Sequence, residues 1–582
     1  MEIGSHTQAG DEFHLSSPSK SQSKKPGGWT AIAFILGNES FEKLASMSLL
    51  ANITVYLRTK YNLSGILLVN IVTVWSGTSN VASILGAIVS DAYLGRFLTL
   101  LIGTIFSLLG MVAMTLTAGI PELRPPECQE QLICIEPHKW QLAFLFASLG
   151  IIAVGAGGIR PCNIAFGADQ FDTNTQKGRT QLESFFNWWY FSFTIALVIA
   201  LTGVVYVQTN VSWVMGFAIP TACLAASITI FLIGRGTYIY KMPRGSVFID
   251  MAKVVAASFK KRRINLKLGD DHIYYDPPGD LEWENRKMSR IDRFRFLDRA
   301  AVIANPSELD SMGFPVSMWR LCSLQQVENL KCLFGIIPVW ISGVGCFLVM
   351  DQQSTFGVLQ AIQMDRSIGR HFMIPPGWMG ISSMIALSIW ILIYERIYIP
   401  VAKRISKRDF RMTMRIRINI GIVMSIVCMV VAGCVEKKRR VLALGQGSFV
   451  SSLHVLVLLP QFALSGLTEA FAAVALMEFF TRQLPESMRS VAGAIFFLSL
   501  SAASYFSSLI VNVMHSVTGG GGKTPWLGGH DLNDNMLDNY YYIVAVLGSM
   551  NLVYFTLFAS KYVPLEKDDE LELEESIETP SK

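Results

Sequence analysis

Long apolar runs bounded by charges or turn residues recur along the chain, and their length decides its class. A bilayer core of about 30 Å takes about 20 apolar residues of helix. Runs of that size lie near 30–57, 68–90, 97–120, 141–166, 184–206, 211–234, 332–351, 376–398, 416–435, 450–480, 490–514 and 539–560, which predicts about twelve transmembrane helices. The stretch from Ser184 to Gly234 has no charged residue and exceeds one span, so it is expected to fold back, most simply at Gln208–Thr209–Asn210.

A polar segment from about Arg235 to Glu328 separates two sets of six spans. This predicts an all-α membrane protein with a disordered N-terminal tail (1–29), a six-helix bundle (30–234), a cytoplasmic linker (235–330), a second six-helix bundle (331–562) and an acidic tail (563–582). Basic residues cluster in the linker (Lys260, Lys261, Arg262, Arg263, Arg293, Arg295, Arg299), in the first tail (Lys24, Lys25) and from Lys403 to Arg417, which places these parts and both termini in the cytoplasm. Lys437, Lys438, Arg439 and Arg440 run against the rule, because they fall in a loop expected outside. The halves also echo one another. Asp91 and Arg96 close span two, and Glu395 and Arg396 close span eight. Repeats of this kind place a substrate site near the midplane between halves.

Composition narrows the class further. With 51% hydrophobic and only 16% charged residues, the chain does not read as a soluble enzyme or a disordered scaffold, and a net charge of +5 is too small for a nucleic-acid surface. The nine cysteines show no metal-ligand spacing, and no metal or cofactor is expected. Cys128 and Cys134 alone share a polar loop, which allows one external disulfide. The first 29 residues lack the apolar core of a cleavable signal, so the first span is expected to direct insertion. Asn62-Leu63-Ser64 reads as an external glycosylation sequon.

Ionisable groups inside spans cost at least about 2.5–3.5 kcal/mol each at the bilayer centre, so they mark cavities or partners. Span one carries Glu39, Glu42 and Lys43 at spacings that share one helical face, as a proton path requires. A single acid could be only a helix-to-helix tether, but three charges on one face exceed that need. Span four holds Arg160 behind three glycines and before Pro161, and its permanent charge calls for an anion. Glu469 on span ten is one candidate partner or ligand contact. Asp351 on span seven sits near the expected end of its helix, where a wet, structural reading is equally open. Asp91 and Arg96 read as a gating or folding contact. The aromatic run Phe185 to Tyr190 reads equally as packing, interface anchor or stacking surface.

With these residues in place the chain resembles the plant nitrate/peptide transporter family, the proton-dependent oligopeptide transporter group of the major facilitator superfamily, from Trp29 to about Tyr562. Glu39-x-x-Glu42-Lys43 is similar to the family's ExxER/K motif. Gly86, Ala87, Ser90, Asp91, Gly95 and Arg96 resemble the superfamily loop motif. Gly157 to Cys162, Phe166 to Phe171 and Phe185 to Trp188 resemble family signatures. The resemblance implies proton-coupled symport of a small molecule by alternating access between twelve helices, with Glu39, Glu42 and Lys43 coupling protons and Arg160, Glu469, Met350 and Asp351 near substrate. Met350 stands where the nitrate-transporting branch is expected to carry a histidine, and a thioether cannot replace a cationic donor. Leu44 to Met47 replace the tyrosines of peptide transporters. The nearest resemblance is to the glucosinolate and glycoside branch; nitrate movement or export and gibberellin transport are alternatives, and a channel or receptor is the rival from another class. Thr99 matches a position phosphorylated in a nitrate-transporting relative, which adds a regulatory kinase to the expected partners of protons, substrate and bilayer; capping is the plainer reading of its hydroxyl. A multi-pass plasma-membrane monomer or weak dimer is expected.

Overall fold

Glu39, Glu42 and Lys43 interrupt the apolar sequence of the first helix, yet α1 (Gly28–Lys60) runs unbroken through them for 33 residues. The structure, a computed structural model, describes residues 27–563 except 127, 129–133, 173–174, 242, 244, 264–273, 276–292, 371, 407–411, 486–487 and 521–524. Lys24, Lys25 and the acidic tail from Glu566 to Glu578 lie outside the described residues. Eleven helices among the described residues are long and apolar enough to span a bilayer, and α1, set apart by its three charges, makes the expected twelfth.

The first half continues with α2 (Gly65–Val89), α3 (Arg96–Gly119), α4 (Lys139–Ala168), α5 (Gln176–Ile199) and α6 (Trp213–Ile233). After the short linker helix α7 (Val247–Lys260), the second half holds α8 (Leu324–Gln352), α9 (Val358–Ile362), α10 (Met379–Ile393), α11 (Ile399–Ser406), α12 (Met414–Gln446), α13 (Leu459–Thr468), α14 (Val474–Gln483), α15 (Arg489–Thr518) and α16 (Leu537–Leu557). Several neighbours join through π-helical turns into single spans: α8 and α9 form Leu324–Ile362, and α13 and α14 belong to Val455–Gln483. Exposed Leu109, Val198, Ile385, Leu392 and Val553 give the bundle an apolar exterior, as a lipid-facing surface requires.

Glycine sets the spacing of α2, α3 and α4. A Cβ on Gly86 would meet the Gly157 carbonyl at 2.0 Å, and one on Gly158 would meet the Thr99 carbonyl at 2.9 Å. Backbones this close leave no room for side chains, so the three helices form one block. Pro161 sits inside α4, which continues past it to Ala168.

One end of the molecule carries the first and last described residues and the described parts of the linker; the other carries a disulfide between Cys128 and Cys134. Hydrogen bonds between halves begin at the disulfide end, where the Gly65 amide donates to the Gly529 carbonyl at 2.8 Å and Asn210 to Met373. They continue along α2 and α15 through Asn70, Ser508 and Asn512 to Thr78 and Tyr505 near the middle of both helices. At the other end the linker docks on the second half. Lys331 on α8 is completely buried between Glu328 and Asp298, the latter in a short turn of helix at Arg295–Ala300.

Four expectations change. The fold-back between spans five and six comes at Ser212, because helical turns persist through Val211, and Gln208 is instead buried against Gly216 and Asn52. Span seven runs to Ile362, which puts Asp351 well inside the helix and removes the wet-end reading. The cluster Lys437 to Arg440 lies in no loop, since α12 extends to Gln446 and buries Arg439 completely against Glu436. Asn62 is only 4% exposed and donates to the Pro126 and Ile135 carbonyls, so the sequon nitrogen is engaged in holding the loop and is inaccessible to a glycan. The internal echo is partly physical: Ser90–Leu94 and Tyr394–Tyr398 are both π-helical turns, the first ending its span and the second lying inside one that runs on to Ile405, so Glu395 and Arg396 do not close span eight.

Candidate functional site

Helical spacing brings Glu39, Glu42 and Lys43 onto one side of α1, facing α4 and α5. Lys43 Nζ lies 3.7 Å from Glu39 Oε1 and 3.2 Å from Glu42 Oε2. Both acids are buried, while Lys43 is partly open. Glu39 Oε2 lacks a hydrogen-bond partner among the described residues, and the contact of Glu42 Oε2 is the Lys43 ammonium itself. Arg160 arrives from α4 within electrostatic reach of Glu42 and Lys43, held in place by the glycine block. Its Nη1 donates to the neutral Asn80 of α2 at 2.7 Å. The indole of Trp189, from the aromatic run on α5, approaches Glu39 with its ring nitrogen buried. Two acids and two bases therefore share a site with only loose pairing, so a proton or an anion can redistribute the contacts at small cost.

The second half contributes less directly. Ser504 on α15 donates to Asp351 at 3.1 Å, and the next residue, Tyr505, bonds Thr78 across the seam. Thr78 stands two residues before Asn80, so the seam bond and the Arg160 contact lie within one turn of α2. Met350 packs against the apolar core of the second half, and of that pair only Asp351 presents polar atoms. Glu469 lines an open cavity of about 660 Å³ with Met477, Glu478 and Phe496, and among the described residues it has no ion pair with Arg160. The expected bridge between these two residues is absent in this conformation, because Arg160 sits against α2.

Asp91 and Arg96 approach at 4.0 Å, but the tighter partner of Arg96 is Asp169, which also accepts from Lys241 at 2.8 Å. Asp169 had been legible only as part of a motif. Its value to the site is that it ties α3, α4 and the start of the linker together. Thr99 is buried, with its hydroxyl on the Gly95 carbonyl, which fits the plain reading of an inward-bonded helix residue. Within the aromatic run Phe185 packs against Gly167, whereas Trp188 and Tyr190 face outward. Glu478 pairs with Arg417 and Arg482 at the terminus end.

A second polar centre was invisible in the sequence. Glu436 and Arg439 form a double-bonded pair at 2.8 Å, Gln360 donates to Glu436, and Asn533 accepts from Arg439. Gln461 bonds both Gln353 and Gln360, and Tyr541 also reaches Gln360. Its signal was the string of amides in otherwise apolar spans, which a search for charges passes over.

The sequence of the POT family matches residues 97–527. The chain is 56% identical to the NRT1/PTR family 2.8 protein of Arabidopsis thaliana, covering 94% of this chain and 97% of that one. It is 42% identical to the NRT1/PTR family 2.13 protein of the same plant, over 96% and 92% of the two chains. Its fold is similar to the crystal structure of an auto-inhibited POT family peptide transporter, with a TM-score of 0.67 at 16% identity over 92% and 98% of the chains. A POT family transporter in complex with 5-aminolevulinic acid is similar at a TM-score of 0.59 and 11% identity, over 92% and 97%. The architecture is thus the twelve-helix major facilitator fold, and the chain belongs to the POT family of multi-pass membrane transporters, in its NRT1/PTR group.

Proposed function

We propose that the chain is a proton symporter that moves an anionic or hydroxyl-rich organic metabolite, such as a glucosinolate or another glycoside, by alternating access. The observation that carries this reading is the loosely paired set of Glu39, Glu42, Lys43 and Arg160, in which one ammonium serves both acids and Glu39 Oε2 has no hydrogen-bond partner among the described residues. Protonation of Glu42 or Glu39 frees a cation, and the freed cation holds the substrate. Proton and anion then bind cooperatively, because each removes the other's competitor. With both acids protonated per monovalent anion, one net charge crosses, and about 100 mV then supplies roughly 2.3 kcal/mol.

The terminus end is the cytoplasmic one in this proposal. Arg235, Lys241, Lys253, Lys260, Arg262 and Arg299 gather there, and the disulfide at the opposite end fits an oxidising exterior. The seam bonds at the disulfide end then correspond to an inward-facing state. Plasma-membrane residence is part of the same proposal. Low-affinity nitrate movement is a second reading, favoured by a neutral partner on Arg160 that leaves its fork available to a small oxyanion.

The test is uptake in voltage-clamped oocytes, comparing nitrate, a glucosinolate, flavonoid glycosides and gibberellin at pH 5 and pH 8. Saturable inward current with one of the organic anions at pH 5 only is expected. Equal rates at the two pH values remove proton coupling, and current with nitrate alone moves the second reading to first place.

A further inference from the structure

The disulfide end holds a cavity of about 310 Å³ built from both halves. Arg58 and Lys60 reach it from the last turn of α1, Arg366 from the turn between β1 (Met364–Asp365) and β2 (Ser367–Ile368), and His530 from the connection between α15 and α16. Asn62 and Trp213 complete the parts that matter here. Among the described residues none of the lining side chains is a carboxylate; Glu127 and Glu130, which flank Cys128, lie outside the described residues. A neighbouring cavity of the same size adds Arg124 beside Lys60.

Arg58 is only 5% exposed, and its Nη1 donates to the Leu63 carbonyl. Its nearest influence of opposite sign is Asp531, in the other half. Among the described residues the Arg366 side chain has no hydrogen-bond or ion-pair partner. His530 adds no charge near neutrality, because burial and the adjacent Arg58 pull its pKa from 6.5 down to about 4. When the halves close here, guanidinium groups of opposite halves are brought to one small polar cavity. Like charges resist that approach, and an anion between them removes the resistance and gains donors from both sides.

We infer that this outer vestibule is an anion-binding site, separate from the Arg160 centre, that takes a small oxyanion or the oxyanion group of a cargo and holds the two halves together at the disulfide end. An anion bridging both halves loses half of its donors when the seam opens, so it binds the closed form better and shifts the population toward it. External anion therefore favours the state whose central cavity faces the terminus end.

The experiment uses full-length protein in nanodiscs of zwitterionic lipid at fixed pH and ionic strength, without any gradient, so its outcome does not depend on proton coupling. Sodium sulfate and sodium nitrate are exchanged for gluconate while thermal unfolding and amide exchange around Gly65 are followed. A saturable rise in melting temperature is expected, with exchange at the Gly65 amide slowed severalfold. Arg366→Gln, on a surface turn, should weaken half-saturation about 10-fold, the size of one lost charge-assisted contact. Arg160→Gln should leave it unchanged. A glucosinolate that saturates the same shift in Arg160→Gln identifies the cargo's own sulfate group as an occupant, and inorganic anions alone identify free oxyanions. The proposal is overturned if Arg366→Gln matches wild type, or if the shift disappears in Arg160→Gln.

Discussion

Two buried sets of charge in the same molecule are built to opposite specifications. In the second half, Glu436 and Arg439 are joined by two bonds of 2.8 Å, and Gln360 and Asn533 occupy further sites on the same groups. In the first half, Lys43 is shared between two acids at 3.7 and 3.2 Å, and Glu39 keeps one oxygen without a hydrogen bond among the described residues. The first set is closed, and opening it strands a charge in a dry interior. The second is frustrated, and a small perturbation rearranges it. The contrast separates scaffold from working parts more sharply than burial does, since both sets are buried.

The strongest way to break this contrast is to remove one member of the closed set. Arg439→Met leaves Glu436 uncompensated and should destabilise the protein by about 3–5 kcal/mol, read as a lower melting temperature and a poor yield of folded protein. Lys331→Met at the linker clamp should behave the same way. If either variant melts with wild type, tight pairing does not mark scaffold.

In the loose set the effect should move from stability to transport. Glu42→Gln should reduce acid-stimulated uptake by at least about 10-fold while changing stability by less than about 1 kcal/mol, because Glu39 remains beside Lys43. A large stability loss in this variant would place Glu42 with the structural charges. Arg160→Lys retains the charge but not the planar fork, and should raise the half-saturating substrate concentration about 10-fold with surface expression intact.

Smaller effects sharpen the picture at the seam. His530 has a folded pKa of about 4 against 6.5 when unfolded, so the unfolded chain takes up its proton first as pH falls. The stability this neutral ring contributes is complete above pH 6.5 and is lost progressively down to about 4, by roughly 1 kcal/mol once solvent around a half-buried ring is allowed for. His530→Gln should flatten melting temperature across that interval. Last, Asn62→Gln should leave electrophoretic mobility unchanged after expression in plant cells, whereas a loss of mass would show that the asparagine carries a sugar.

Span number, the division into halves and the α1 cluster were legible because each depends on a local property, either apolar length or helical spacing. Ser212 as the turn was not legible: Gln208 is polar in sequence but finds buried partners in Gly216 and Asn52, and those come from tertiary contacts. Likewise the basic run at Lys437 to Arg440 looked like a loop since its partner Asn533 lies 94 residues away. Asp351 was misplaced because π-helical turns at Gln353–Gly357 prolong its span past the apolar run. Of the site, the residue types were readable and the pairing was not. Arg160 against Asn80, and Asp169 between Arg96 and Lys241, are choices made by helix packing at the glycine contacts.

The linker clamp on Lys331 also sets how far the two halves can travel. With Asp298 locked to α8 and α7 packed on the same half, the slack joining the bundles shrinks to the stretch from Gly236 to Val247. Extended chain spans at most about 3.3–3.6 Å per residue, which limits the rocking stroke to a few nanometres at most. Even that tether is stitched to the first half, by Lys241 on Asp169 and by the Gly245 amide on the Asp91 carbonyl. Any swing that parts the bundles must either spare these two stitches or unpick them.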